Sequence, residues 1–146
     1  MIDSQRMTAE FSRLAAISSP SFHEGEISRY LQARFQELGA EMAADDAGET
    51  IGSESGNLIF FLPARGKSGE PLMLCAHMDT VEPADGVRPV LRDGVFTSAG
   101  ETVLGADDKA GLAEIIEALD VVRERGLPHG PIEVVVTICE EVGLQG

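Results

Sequence analysis

The chain has 146 residues and a formal net charge of −14 at pH 7, with 43% hydrophobic and 25% charged residues. This length and composition fit one globular domain with a hydrophobic core, and they exclude two ordinary domains or a disordered chain. The acidic balance excludes nucleic acids and anionic membrane surfaces as partners, because binding to either requires a basic surface.

The first two predicted elements are helices. Residues 4–17 carry apolar side chains at helical spacing, and these are Met7, Phe11, Leu14 and Ile17. Before the second helix, Ser21 followed by Glu24 forms a capping-box pattern, in which each side chain binds a free N–H group of the first turn. The apolar stripe of this helix consists of Ile27, Tyr30, Leu31, Phe35 and Leu38. Gly39 is predicted to end it.

The next part of the chain predicts a loop followed by strands. Residues 41–56 are acidic and show no apolar period, so we predict a loop there. Short apolar runs at 57–62 and 72–76 predict buried strands. Residues 88–97 have the pattern of a β-hairpin with a two-residue Asp-Gly turn.

A third helix and another strand follow. The helix is predicted from apolar residues at helical spacing, which are Leu112, Ile115, Ile116, Leu119 and Val122. Residues 132–138 are rich in β-branched side chains and predict another buried strand. Strands that alternate with helices and are continuously apolar indicate an α/β domain with a largely parallel sheet.

Cys75 and Cys139 both lie inside apolar, strand-like runs. We predict two buried free thiols, because neither the number nor the spacing of the cysteines indicates a disulfide framework or a thiolate metal site. The apolar runs are too short to span a bilayer, and the first residues lack the pattern of a secretory signal. A cytoplasmic protein that does not contact membranes is therefore predicted.

The first polar cluster of interest is His77-Met78-Asp79, which directly follows a predicted strand. Side chains two apart on an extended segment point the same way, so Asp79 can accept one N–H of the His77 imidazole. The other ring nitrogen would then be free to bind a metal. The alternative is a strand-end histidine that is bonded only to the backbone.

Two further clusters consist of adjacent carboxylates. Asp107-Asp108 lies between glycines just before the third helix, where one aspartate could serve as an ordinary helix cap. Glu140-Glu141 emerges from the last predicted strand, where the glutamates are either solvated or held together by a divalent cation.

An imidazole with several carboxylates forms a nitrogen and oxygen ligand set that suits zinc, cobalt or manganese. Two ions about 3.5–4 Å apart that share a carboxylate are a common device for hydrolysing amides. The sequence contains no G-x-S-x-G, H-E-x-x-H, P-loop or G-x-G-x-x-G motif. The clusters therefore favour a metal-dependent hydrolase.

Three segments, in this order and spacing, resemble the M20 metallopeptidases, and they are Ala76-His77-Met78-Asp79-Thr80-Val81, Leu104-Gly105-Ala106-Asp107-Asp108-Lys109-Ala110-Gly111 and Glu140-Glu141-Val142-Gly143. The peptidase T-like, tripeptidase-related branch is the most similar. The resemblance implies a three-layer α/β/α fold with a mostly parallel mixed sheet. It also implies a cocatalytic zinc peptidase that acts on short peptides from their amino end.

The resemblance implies a role for each matching residue. His77 would bind one metal ion and would be oriented by Asp79. Asp107 would bridge both ions, and a cis peptide bond after it is frequent in the family. Glu141 would bind the other ion. Glu140 would be the general base that takes a proton from the metal-bridging water. The implied cofactor is a pair of divalent ions, zinc with cobalt or manganese as alternatives.

Residues 1–146 would form the N-terminal portion of the catalytic domain. Family members carry a further acidic ligand, a final histidine and an inserted lid domain that is often used for dimerisation, all outside the matching segments. We therefore expect the 146-residue chain by itself to bind metal weakly and to be inactive. An unpaired sheet edge and exposed apolar surface would favour self-association.

Two alternative functions remain open. A related M20 amidohydrolase would use the same ligands to remove acyl groups from amino acids. A non-catalytic, truncated module would serve in folding or interaction, although such a module would not need Glu140.

Overall fold

The computed structural model describes residues 1–146 and contains four helices and six strands. The helices are α1 (Ser4–Ala16), α2 (Gly25–Glu37), α3 (Ala47–Ile51) and α4 (Ala106–Glu124). The strands are β1 (Glu41–Ala44), β2 (Leu58–Leu62), β3 (Leu72–His77), β4 (Pro89–Arg92), β5 (Val95–Ser98) and β6 (Ile132–Thr137). None of the helices combines the length and the apolar character that crossing a membrane requires.

Helices α1 and α2 occur where the apolar periodicity predicts them, but they begin differently. Asp3 caps α1 by accepting hydrogen bonds from the N–H groups of Gln5 and Arg6. The predicted capping box of α2 is wrong, because neither Ser21 nor Glu24 caps the helix, and the N–H of Gly25 donates instead to Glu54 Oε2 at 3.2 Å. Ser21 instead donates its hydroxyl to Asp79 at 2.7 Å, so a long-range contact replaces the local one.

The predicted loop at 41–56 is also wrong, since β1 and α3 lie within it. All four residues of β1 are exposed, so the strand has no buried face that could produce an alternating pattern. It forms because its backbone pairs antiparallel with β2. Helix α3 has five residues, which is too short for a helical period to show in sequence.

The main sheet has the strand order β1-β2-β6-β3 and is mixed. The α/β class and the mixed sheet agree with the prediction, but the expectation of mostly parallel strands is wrong for this chain. Only β3 and β6 pair in parallel, whereas β1 with β2 and β2 with β6 are antiparallel. An apolar strand buried in a sheet has the same composition in either direction, so composition could not reveal this.

The helices cover one face of this sheet. Phe35 of α2 stacks on Phe60 of β2 with ring centroids 4.0 Å apart. Arg34 of α2 forms ion pairs with Glu10 of α1 and Asp120 of α4, so these three helices form one layer. The chain therefore contains two of the three predicted layers.

The opposite face of the sheet is open. Met73 in β3 is 62% exposed and Ile59 in β2 is 38% exposed. Cys75 lies on this face and is exposed, so the prediction that it is buried is wrong, while Cys139 is buried as predicted. The first residues of β3 are exposed for a second reason, because β3 is an edge strand.

The predicted hairpin is confirmed as the two-stranded sheet of β4 and β5. Asp93 and Gly94 in its turn both have positive φ angles, as the tightest hairpin turns require. The hairpin packs on α1, where the rings of Phe96 and Phe11 lie 4.7 Å apart. It therefore extends the core beside the start of α4.

A buried ion pair between α1 and α4 should make stability depend on pH. Arg6 Nε lies 2.6 Å from Glu117 Oε2, and the Glu117 side chain is 1% exposed. The hydrogen bond from Arg6 lowers the pKa of Glu117, so the pair stabilises the fold fully above the ordinary glutamate pKa, and this stabilisation is lost as pH falls through the lowered pKa of the folded chain. Glu117→Gln is expected to lower the free energy of unfolding by about 1.5–3 kcal/mol at pH 7.

Urea unfolding at pH 7 and at successively lower pH measures this effect, since the destabilisation by Glu117→Gln should shrink toward zero once Glu117 is protonated in both the folded and the unfolded chain. Glu114→Gln, on an exposed position of the same helix, is the matched control. A destabilisation that stays the same across the pH series would contradict the ion-pair explanation.

Candidate metal centre

The candidate site lies where β3 and β6 end. These strands pair in parallel with His77 opposite Thr137, so the segments that follow them leave the sheet at the same edge. Helix α4 begins beside this edge and carries Asp107 in its first turn. The Oδ1 atom of Asp107 lies 2.9 Å from Nε2 of His77. The topology thus unites three segments that are far apart in sequence.

His77 is held by Asp79, as the sequence predicts, although mainly through a different atom. The imidazole Nδ1 lies 2.9 Å from the main-chain oxygen of Asp79 and 3.4 Å from its carboxylate Oδ1. With Nδ1 occupied in this way, Nε2 faces the Asp107 carboxylate. This is the ring orientation that a metal-binding histidine requires.

The Asp79 carboxylate also binds the glutamate pair. Its Oδ1 accepts the N–H of Glu140 at 2.9 Å, and its Oδ2 accepts the N–H of Glu141 at 3.2 Å. Burial alone would raise the pKa of Asp79, but hydrogen bonds from His77, Ser21 and these two N–H groups lower it to about 2. Asp79 therefore links the first motif to the third, a role that the sequence did not indicate.

Asp107 sits at an irregular start of α4. The peptide bond between Asp107 and Asp108 is cis, as the family resemblance implies, and both residues have non-helical backbone angles. The Asp107 side chain is 85% exposed, so its carboxylate stands open to a ligand.

The residues after Asp107 anchor this turn. Asp108 accepts the N–H of Gly111 at 3.1 Å, and a Cβ at position 111 would collide with that carboxylate, which explains the glycine. Lys109 is 1% exposed and donates to the main-chain oxygen of Ile17 at 2.5 Å. Both contacts hold the backbone of this turn in place.

Possible metal-binding atoms converge at this edge. One donor atom each from His77, Asp107 and Glu141 lies within 4.8 Å of the others. Glu140 is adjacent, with its Oε2 3.9 Å from His77 Nε2 and its side chain 38% exposed. All five residues singled out in the sequence are therefore neighbours, and their individual roles remain predictions.

The electrostatics of the cluster favour a bound cation. Burial lowers the pKa of His77, but the Asp79 and Asp107 carboxylates outweigh it and raise that pKa to about 9. Burial and the charges of Asp107, Glu140 and Asp79 raise the pKa of Glu141 despite the nearby imidazole. The carboxylates thus repel one another and attract positive charge, and their donor atoms are those that zinc, cobalt and manganese accept.

The chain matches known proteins across this region. Residues 57–146 match the sequence profile of Peptidase family M28. The chain is 42% identical over 146 residues to the uncharacterized protein YqjE of Bacillus subtilis (strain 168), covering 100% of the chain and 39% of that protein.

Two solved structures are similar over almost the whole chain. A tripeptidase from Staphylococcus aureus subsp. aureus Mu50 has a TM-score of 0.96 and 40% identity, covering 100% of the chain and 39% of the tripeptidase. Aminopeptidase PepT from Bacillus cereus ATCC 10987 has a TM-score of 0.95 and 43% identity, covering 98% of the chain and 38% of PepT.

Similarity to a tripeptidase and to PepT confirms the peptidase T-like relationship and the α/β fold class. The matching profile carries the name M28, whereas the motifs indicated M20. The chain spans about two fifths of the length of each of these relatives.

Proposed function

This chain belongs to peptidase family M28, and we propose that it supplies the metal-binding and proton-transferring residues of an enzyme that hydrolyses short peptides from their amino end. The convergence of His77, Asp107 and Glu141 within 4.8 Å, with Glu140 beside them, carries the proposal. The similarity to a tripeptidase and to an aminopeptidase supports the choice of substrate.

We infer two divalent ions, with zinc as the metal and cobalt or manganese as alternatives. His77 would hold one ion and Glu141 the other, while Asp107 would be a ligand of both. The exposure of Asp107 and the excess of carboxylates support this assignment. When bound, the ions would polarise the scissile carbonyl and acidify water.

The proton transfers fall to Glu140. Its carboxylate would accept a proton from the attacking water and then deliver it to the leaving amine. The side chain is 38% exposed, so both water and peptide can reach it. Asp79 would keep the imidazole of His77 oriented and would hold the backbone of Glu140 through its N–H.

The same proposal extends to the longer protein, its cellular compartment and its self-association. Residues 1–146 would be the N-terminal portion of the catalytic domain of a longer enzyme, consistent with their 39% coverage of relatives. Both cysteines are free, as is typical of proteins in the reducing cytoplasm, which we propose as the compartment. The exposed edge strand β3 would support self-association if it stays uncovered.

A substrate panel tests the proposal. The full-length protein, loaded with zinc, is expected to release the amino-terminal residue of tripeptides, to lose this activity in a chelator and to regain it when zinc returns. N-acyl amino acids are the matched comparison, because a deacylase could use the same ligands. Cleavage of acyl amino acids alone would contradict the peptidase function, and no hydrolysis of either would favour a non-catalytic module.

A further inference from the structure

The segment that leaves β6 is held by an unusual set of hydrogen bonds. Four consecutive N–H groups each donate to a side chain from elsewhere in the chain: Ile138 to Asn57, Cys139 to Glu24, and Glu140 and Glu141 to Asp79. Asp79 belongs to the site already described. Glu24, at the start of α2, forms no hydrogen bond with His77, Asp107 or the side chains of the two glutamates.

Glu24 is completely buried, with 0% of its surface exposed. Its Oε1 accepts the N–H of Cys139 at 3.1 Å and the thiol of Cys139 at 3.3 Å. Its Oε2 accepts the hydroxyl of Ser53 at 2.6 Å, which fixes the carboxyl group from the other side. Each oxygen of this group is therefore occupied.

Glu24 also joins two residues that share an uncommon backbone conformation. Phe22 has a φ of 74° and Cys139 a φ of 50°, in the left-handed region that residues with a Cβ seldom adopt. Both donate their N–H group to Glu24 Oε1, Phe22 at 3.1 Å. Such conformations persist where the surrounding contacts enforce them, and they concentrate at functional sites.

The conformation of Cys139 decides where the next two side chains point. If residue 139 returned to the extended region, the chain would leave β6 in a different direction. The following glutamates would then turn away from His77 Nε2, which now lies 3.9 Å from Glu140 Oε2. Cys139 is itself buried, so water cannot replace the acceptor that Glu24 supplies.

We propose that Glu24 is a positioning residue, which holds Cys139 in its left-handed conformation and thereby directs Glu140 and Glu141 into the metal centre. This inference rests on the proposed function, because it assigns Glu24 an effect on catalysis through Glu140. A purely structural role would instead make Glu24 a buried acceptor whose loss only destabilises the fold.

Three variants of the full-length, zinc-loaded enzyme separate these roles. Glu24→Met keeps the volume but removes the acceptor, and it is expected to lower kcat by about 10–100-fold with little change in KM. Glu24→Gln keeps a carbonyl oxygen for Cys139 and should retain most of the rate. Ser53→Ala, the matched control, removes a bond of Glu24 without touching the one to Cys139, and should leave kcat nearly unchanged.

A double-variant cycle with Glu140→Gln tests whether Glu24 acts through the general base. If it does, Glu24→Met should reduce the residual rate of the Glu140→Gln enzyme far less than it reduces the rate of the unmodified enzyme. A purely structural effect would lower both rates by the same factor and overturn the proposal. Unimpaired turnover in Glu140→Gln would overturn the proposed function, and this inference with it.

Hydrogen exchange at the Cys139 amide provides a readout without metal or activity. Exchange should be slow in the metal-free parent and in Glu24→Gln, and faster in Glu24→Met, while amides in the middle of β6 stay protected. If Glu24→Met does not fold, Glu24→Asp, which retracts the carboxylate by one methylene, replaces it in every comparison. A protected Cys139 amide in a folded variant without the acceptor would overturn the proposal.

Discussion

Replacing Glu140 by glutamine is expected to lower kcat of the full-length, zinc-loaded enzyme by about 10²–10⁴-fold, the usual contribution of a general base. Glutamine has nearly the same shape but cannot accept the proton of the attacking water. The bond from the Glu140 N–H to Asp79 comes from the backbone and survives the change. The loss should therefore fall on proton transfer and spare the fold.

Zinc binding provides the internal control, because the glutamine should leave zinc stoichiometry unchanged. Glu133→Gln is the matched variant, since Glu133 lies on β6 with its side chain toward the open face of the sheet, away from the site. Steady-state hydrolysis of a tripeptide and calorimetric titration with zinc measure the two properties. Full activity in Glu140→Gln would remove Glu140 as the base.

Helices and strands could be predicted where the burial of one face produces a periodic pattern of apolar residues in the sequence. Helix α1 has buried Phe11 and Leu14 on one face, and its predicted limits differ from the observed ones by one residue. Strand β1 was missed because all its residues are exposed, so that only backbone pairing defines it. Strand direction was equally hidden, since β2 and β6 are as apolar in an antiparallel pair as in a parallel one.

The open face of the sheet shows that apolar composition does not by itself predict which residues are buried. Met73 and Cys75 belong to an apolar run that predicts burial, yet they are exposed because no helix of the chain packs there. Apolar character indicates that a residue favours burial. It does not indicate which segment covers the residue.

The candidate site was predictable at the level of its residues. Each motif stands at the end of a strand or the start of a helix, and the parallel pairing of β3 with β6 brings the motifs together. The contacts that organise them were not predictable. Ser21 and Glu24 match a local capping pattern, whereas the structure uses them to hold Asp79 and Cys139, which are distant in sequence.

Replacing Asp107 by alanine is expected to lower zinc affinity at both proposed ion positions by at least about 100-fold, more than the loss of a residue that only orients a ligand. Asp107 contributes the donor atom closest to His77, at 2.9 Å from Nε2, and it belongs to the same cluster as Glu141. Calorimetric titration of the full-length protein measures affinity and stoichiometry together.

Comparison with Glu141→Ala makes this test specific for a bridging ligand. If Asp107 bridges two ions, its loss should affect both, whereas Glu141→Ala should weaken one ion and leave the other at His77. The Asp107 side chain is 85% exposed, so its removal should not destabilise the metal-free fold, and urea unfolding without metal checks this. Asp46→Asn, at an exposed aspartate without a capping bond, controls for the loss of one negative charge. One tightly bound ion remaining in Asp107→Ala would assign this aspartate to a single ion and contradict the bridge.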